Sequence, residues 1–323
     1  MAVAARVVAL AAAPPPASTV MALPLTAAAV PLDPLDRSRN RVGGLRYMGG
    51  LVLKSTDNGF GGISGLRAGP GGRMMAITDT GNWVVFTVVE RGGRLVGVKD
   101  GSIAPLLDET GSPAIRKEDG DAEGLEWDPV TGTAMVSFEQ DHRIQHYAGI
   151  DPARPATLSV APSKVTRDPA TADWPKNGGG EAIAALSNGS RLVFEEDGVD
   201  SDGLSPVLQT SIGTTHRLAY RRVPSYKPTD AVEIVPGELL VLGRSFSAID
   251  GISANLSRVT VGPAMVAREV ARLAPPLTID NMEGLAVRHV GGRTFVYIVA
   301  DDNFNAWEKI LLLKFELLRE ARR

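Results

Sequence analysis

From about residue 45 onward, one order of apolar and polar positions recurs five times along the chain. Each unit opens with an acidic or hydroxyl residue, then a small residue, then an aliphatic one. A short strand-like run follows, then a glycine-containing turn, then a strongly apolar run closed by a polar residue. The copies open at Ser64-Gly65-Leu66, Glu123-Gly124-Leu125, Glu181-Ala182-Ile183, Asp230-Ala231-Val232 and Glu283-Gly284-Leu285. They close at Asp79, Glu139, Glu195, Arg244 and Asp302, the fourth copy being degenerate. The openings are 59, 58, 49 and 53 residues apart. A four-stranded propeller blade takes about 40–50 residues, so each unit reads as one blade with long loops. Runs such as Phe295-Val296-Tyr297-Ile298-Val299 lack strict alternation, as expected of strands covered on both faces.

The pattern therefore predicts an all-β fold, a β-propeller with five recognisable blades, or six if the stretch between 197 and 227 holds another. Segments 45–53 and 310–317 also read as strands. Pairing them would close the ring and remove its open edges. One domain over residues 40–318 accounts for the repeat. A β-sandwich with chance turn similarity is the bland alternative, and five in-phase copies count against it.

The first 29 residues differ in composition. Arg6 is the only charged side chain before Asp33, and Ala27-Ala28-Ala29 would suit a signal-peptidase site. Pro14-Pro15-Pro16 interrupts the apolar run. This segment reads as a signal peptide or a disordered leader, which predicts a periplasmic or secreted protein. No other segment has the ~20 unbroken apolar residues of a membrane span. The net charge of -3, with no basic stripe, argues against nucleic acid as a partner. A monomer acting on a small molecule is expected. The absence of cysteine excludes disulfides, thiolate metal sites and cysteine nucleophiles.

A hairpin returns to the level where it began, so the opening and closing residues of one unit share an end of the blade. With equivalent blades, these pairs converge on one mouth of the central channel. Flanking residues add Asp121, Asp280, Asn281, Asp301 and Asn303. Crowded carboxylates cannot all stay ionised without a counter-charge. An oxygen-rich ring suits a hard cation, above all Ca²⁺. Zinc fits poorly, because His142, His146, His216 and His289 fall outside the repeated positions. On this reading Glu123, Glu181 and Glu283 are the candidate catalytic groups. Asp79, Glu139, Glu195 and Asp302 are candidate metal ligands, and Arg244, Asn281 and Asn303 would contact substrate. The competing structural reading is that acid-glycine turns cap strands by accepting backbone N–H groups. Trp83, Trp127 and Trp174 read as packing between blades, and Met74 and Met75 as core. The run Glu195-Glu196-Asp197 is either part of a metal site or a solvated loop.

Several separated motifs carry a family resemblance. They are Phe60-Gly61-Gly62-Ile63-Ser64-Gly65-Leu66, Asp121-Ala122-Glu123-Gly124-Leu125, Gly178-Gly179-Gly180-Glu181-Ala182, Asp280-Asn281-Met282-Glu283-Gly284-Leu285-Ala286, Asp301-Asp302-Asn303-Phe304-Asn305 and Leu311-Leu312-Leu313-Lys314-Phe315-Glu316-Leu317. In this order, over roughly residues 42–317, the chain resembles the bacterial esterase-like or phytase-like propeller family. Trp307-Glu308-Lys309 departs from the Gln-Arg-Thr type of sequence expected there. The resemblance implies an exported propeller and, by name, hydrolysis of phosphoesters or carboxylic esters; fold alone does not fix function.

Three functions are compatible with these readings. A Ca²⁺-assisted ester hydrolase, including a lactonase, would use the acidic mouth. A serine esterase is disfavoured: Gly62-Ile63-Ser64-Gly65 is not the strand-to-helix elbow of Gly-x-Ser-x-Gly, and no histidine is placed as its base. Ser64 reads better as a capping hydroxyl replacing Glu. The alternative is a non-catalytic ligand-binding or scaffold propeller with a structural metal.

Overall fold

The computed structural model describes residues 19–305 and 307–319. Five sheets, antiparallel apart from one edge strand, stand around a central axis. Blade one runs outward from Ile63–Ala68 through Arg73–Thr78 and Asn82–Arg91 to Arg94–Pro105. Blade two contains Ala122–Asp128, Thr133–Phe138, Arg143–Tyr147 and Lys164–Arg167. Blade three contains Gly180–Ala185, Arg191–Glu195, Ser205–Ser211 and Thr214–Arg221, with Ala264–Val266 added in parallel at its edge. Blade four contains Lys227–Val235, Glu238–Ser247, Gly251–Thr260 and Arg268–Leu273. Blade five contains Asn281–Val290, Arg293–Asp301, Leu311–Leu317 and Leu45–Ser55. The innermost strands contact one another in a closed circle, the fifth returning to the first.

Ring closure follows the expected route: Leu311–Leu317 pairs antiparallel with Leu45–Ser55, joining the two ends of the chain in one sheet. No sixth blade lies between 197 and 227, where the outer strands of blade three are found. The domain also begins earlier than residue 40. Met21–Ala22 pairs with the outer strand of blade one, and Leu25–Val30 with Leu45–Ser55. Ala27, Ala28 and Ala29, expected in a leader, are thus in register with Leu53, Val52 and Leu51. Residues 1–18 of that expected leader lie outside the described residues.

Each seam between blades is filled by its own apolar cluster, because every sheet is buried on both faces. Trp83 and Trp127 pack in the seam of blades one and two, and Trp174 in that of blades two and three. Met74 and Met75 are fully buried. The seam of blades two and three is the thinnest. Its cluster has five buried residues, Ile144, Trp174, Ile183, Val193 and Leu208, while each other seam has at least twelve.

Candidate functional site

Every innermost strand breaks register with its neighbour near the strand's start, and that of blade four does so a second time between Glu233 and Val235. Ser64 lies between the paired positions Ile63 and Gly65, Glu181 between Gly180 and Ala182, Thr229 between Pro228 and Asp230, and Glu283 between Met282 and Gly284. In blade two the irregularity spans Glu123 and Gly124. A bulge re-aims a side chain relative to the regular pleat. Here five bulges present five equivalent residues at one end of the channel: Ser64, Glu123, Glu181, Thr229 and Glu283.

This register corrects three assignments. In blade four the equivalent of the opening acid is Thr229, and Asp230 is one residue further on. Gly180 pairs with Glu195 as Ile63 pairs with Thr78, so the counterpart of Asp79 in blade three is Glu196. Met282 pairs with Ala300, so in blade five that counterpart is Asp301. A one-residue slip turns a strand side chain to the opposite face. Glu195 accordingly lies with Gly198 and Arg217 in a separate groove on blade three. Asp302 caps backbone instead, its Oδ1 accepting from the N–H groups of Gly62 (3.2 Å) and Phe304 (3.3 Å). The second tier of the mouth is Asp79, Glu139, Glu196, Arg244 and Asp301.

The hydroxyl members close seams. Ser64 Oγ donates to the Ala122 carbonyl at 2.6 Å, and Thr229 Oγ1 to the Met282 carbonyl at 3.2 Å. Each target carbonyl belongs to the residue before the first bulged residue of the next blade. Ser64 is therefore a capping hydroxyl, as its sequence context suggests.

The carboxylates gather beside these residues. Oxygens of Asp121, Glu123 and Glu139 all lie within 4.8 Å of one another. Glu139 is fixed by the N–H groups of Gly178 and Gly179, the latter at 2.9 Å, and is hydrogen-bonded with Glu181. Burial pushes Glu123 well above the ordinary carboxylate range, reinforced by Glu139, Asp121, Glu283 and Asp79. Burial does the same for Glu181, with Glu123, Glu196, Glu283 and Glu139 adding to it. Glu283 is pushed up to about 8 by burial against the pull of Arg244, and Asp301 to about 7 by burial and neighbouring acids.

Cations relieve two edges of the cluster. Lys117, on the short helix Lys117–Gly120, places Nζ 2.7 Å from Asp79 and 3.9 Å from Asp121. Arg244 reaches Glu196 at 2.9 Å, Glu283 at 3.3 Å and the Asn281 amide oxygen at 3.1 Å. Asn281 in turn donates to Glu283 at 2.8 Å. Lys227 pairs with Glu196 and Asp197. The expected substrate contacts Arg244, Asn281 and Asn303 line one cavity of about 380 Å³ at the rim, together with Lys227 and the exposed Phe246.

Below the mouth the channel is shut by a residue the sequence reading passed over. Arg67, 4% exposed, spans the axis. It donates to Asp230 at 2.9 and 3.0 Å, and to the carbonyls of Leu66, Ile183, Ala231 and Leu285 at 2.7–3.0 Å. Its Nε lies 3.5 Å from Glu126. All five blades thus meet at one guanidinium, which closes the channel below the mouth. Asp230 belongs to this floor, not to a pair with Arg244. The available signal was a lone arginine inside the apolar strand Ile63–Ala68.

The donor set of the mouth is all oxygen, with no histidine among Asp121, Glu123 and Glu139, and so fits a hard divalent cation.

Among solved structures, the chain is similar to the catalytic domain of Coprinopsis cinerea GH62 α-L-arabinofuranosidase. Identity is 12%, over 86% of this chain and 99% of that one, with a TM-score of 0.49. It is also similar to a GH43_1 enzyme from Xanthomonas citri, at 9% identity over 92% of each chain and a TM-score of 0.47. The major Malassezia sympodialis allergen Mala s 1 is similar at 12% identity, over 86% of this chain and 91% of that one, with a TM-score of 0.43. No curated protein matches the chain significantly. The phytase-like family, described as "Esterase-like activity of phytase", matches residues 58–304, which span all five bulged residues and their partners. The chain belongs to the phytase-like family.

Proposed function

We propose that this protein is a cation-assisted hydrolase of small-molecule esters, acting in the mouth above Arg67. The observation that carries the proposal is the meeting of Asp121, Glu123 and Glu139 beside Glu181 and Glu283. Asp121, Glu123 and Glu139 would hold the cation, Ca²⁺ foremost. When bound, such a cation polarises a phosphoryl or carbonyl oxygen and makes water a better nucleophile near neutral pH.

The chain's own groups supply the rest. Glu283 carries a proton near neutrality and is oriented by Arg244 and Asn281, which suits a general acid for the leaving oxygen. Glu181 stands among Glu123, Glu139 and Glu196, and burial among these acids raises its pKa well above the ordinary carboxylate range. The rim cavity with Arg244, Asn281, Asn303 and Phe246 would receive the remainder of the substrate. Arg244 and Lys227 are already engaged by Glu196, Glu283 and Asp197. An ester of low negative charge therefore suits this mouth better than a densely phosphorylated one. The N-terminal composition supports export to the periplasm or beyond.

The purified protein should be assayed with Ca²⁺ or with chelator on aryl phosphate, short acyl ester and lactone substrates. Glu123→Gln and Glu283→Gln variants should run alongside. Hydrolysis of one class, abolished by chelator and cut at least tenfold in both variants, is the expected result. No hydrolysis of any class, with Ca²⁺ still raising the melting temperature, would favour the alternative of a non-catalytic binding propeller with a structural metal.

A further inference from the structure

A small, partly open cavity of about 20 Å³ lies in the thin seam between blades two and three. That is room for one occupant of about water size. Its lining includes Arg191, His142, Trp174, Thr166, Asp168 and Thr210. It lies behind the loop that holds Glu139, because the His142 ring packs against Gly179.

The polar groups on this wall are short of acceptors. Among the described residues Arg191 makes no ion pair within 4.0 Å, and its Nε is buried without a hydrogen-bond partner. Trp174 Nε1 and both ring nitrogens of His142 are likewise buried and unpartnered. His142 and Trp174 stack edge to face, with centroids 6.0 Å apart. Asp168 is the carboxylate that acts on Arg191, yet its oxygens are engaged elsewhere. Oδ1 accepts from the Ala170 N–H at 3.0 Å, and Oδ2 from Thr215 Oγ1 at 2.5 Å. The second arginine on the lining, Arg143, is held by Asp141 and the Asp119 carbonyl. Burial lowers the pKa of Arg191, and Asp168 offsets this only in part. A partly buried guanidinium without a counter-ion is costly, and a neutral water would not neutralise it.

We infer that this cavity binds one small monoatomic anion of the chloride class, with Arg191, Trp174 and His142 as its donors. The anion would supply the missing counter-charge and fill the seam where apolar packing is thinnest. The site is separate from the acidic mouth, whose charge would repel such an ion.

Two measurements test this. Melting temperature is recorded at fixed ionic strength in sodium chloride, sodium bromide and sodium gluconate, gluconate being too large for the cavity. The wild type should melt higher in the halides, and Arg191→Met should lose that difference. Equal melting temperatures in all three salts for the wild type, or an undiminished halide effect in Arg191→Met, would overturn the inference. Diffraction from wild-type crystals grown in bromide needs no variant. An anomalous peak between Arg191 and Trp174 is expected, and an occupant there without anomalous signal sinks the proposal.

Discussion

Arg67 and Asp230 meet at the axis of the ring, where one guanidinium nitrogen contacts both carboxylate oxygens, at 3.0 and 2.9 Å. Asp230 also accepts the N–H groups of Leu285 (2.7 Å) and Ala231 (2.8 Å). Blades one, four and five are thus tied through two side chains. Ile183 and Glu126 bring in blades three and two. The acidic mouth rests on this floor.

Removing one partner should be expensive. Arg67→Met leaves Asp230 buried without its cation and should cost about 3–5 kcal/mol in denaturant unfolding. Adding Asp230→Asn should restore part of that loss, since the buried charge is then gone. A single variant within about 1 kcal/mol of wild type, the scale of an ordinary substitution, would mean that the axis is not held by this pair.

The mouth sets a pH dependence. Glu283 and Asp301 carry folded-state pKa values raised to about 8 and about 7. Between their unfolded values and these, the folded chain binds more protons than the unfolded one. Stability of the cation-free protein should therefore fall as pH rises from about 5 to 8. Glu181→Gln removes one crowded acid and should raise the cation-free melting temperature at pH 8 by about 2–4 °C, corresponding to about 1 kcal/mol. The gain should shrink at pH 5. Thermal scans across that range check both signs, and a melting temperature that climbs with pH would refute the crowding argument.

Neighbouring residues should behave oppositely. Glu196 and Asp301 belong to the mouth, while Glu195 and Asp302 do not. Glu196→Gln and Asp301→Asn should change calcium affinity or turnover several-fold. Glu195→Gln should leave both unchanged within error. Asp302→Asn should lower stability through its lost backbone bonds and leave calcium affinity in place. Calorimetry on the four variants gives the comparison, and equal effects from Glu195 and Glu196 would contradict the register.

The blade repeat and its closure were legible because they rest on apolar runs and glycine turns, which sequence displays directly. Glu123, Glu139, Glu181, Arg244 and Glu283 were legible for the same reason, as punctuation of those runs. The register was not. A bulge adds one residue without a fixed compositional mark, so Glu195 stood in for Glu196, Asp302 for Asp301 and Asp230 for Thr229. Arg67 is not legible locally because, apart from the Leu66 carbonyl, its partners are three carbonyls and two carboxylates far along the chain, which no local spacing reports.

The N-terminal strands constrain processing. Cleavage after Ala29 would remove Met21–Ala22 and nearly all of Leu25–Val30 from two blades. If the chain is exported as proposed, its mature form from a secreting bacterial host should begin upstream of Met21. N-terminal sequencing that finds a start at Val30 or beyond would show these strands to be dispensable.

On the proposed reading, the mouth holds a hard cation on Asp121, Glu123 and Glu139. Calcium titration calorimetry on chelator-treated protein, with Asp121→Asn and Glu139→Gln beside the wild type, decides this. One saturable site in the wild type, weakened at least tenfold in each variant, is the predicted result. No calcium binding by the wild type, or unaltered affinity in both variants, would contradict it.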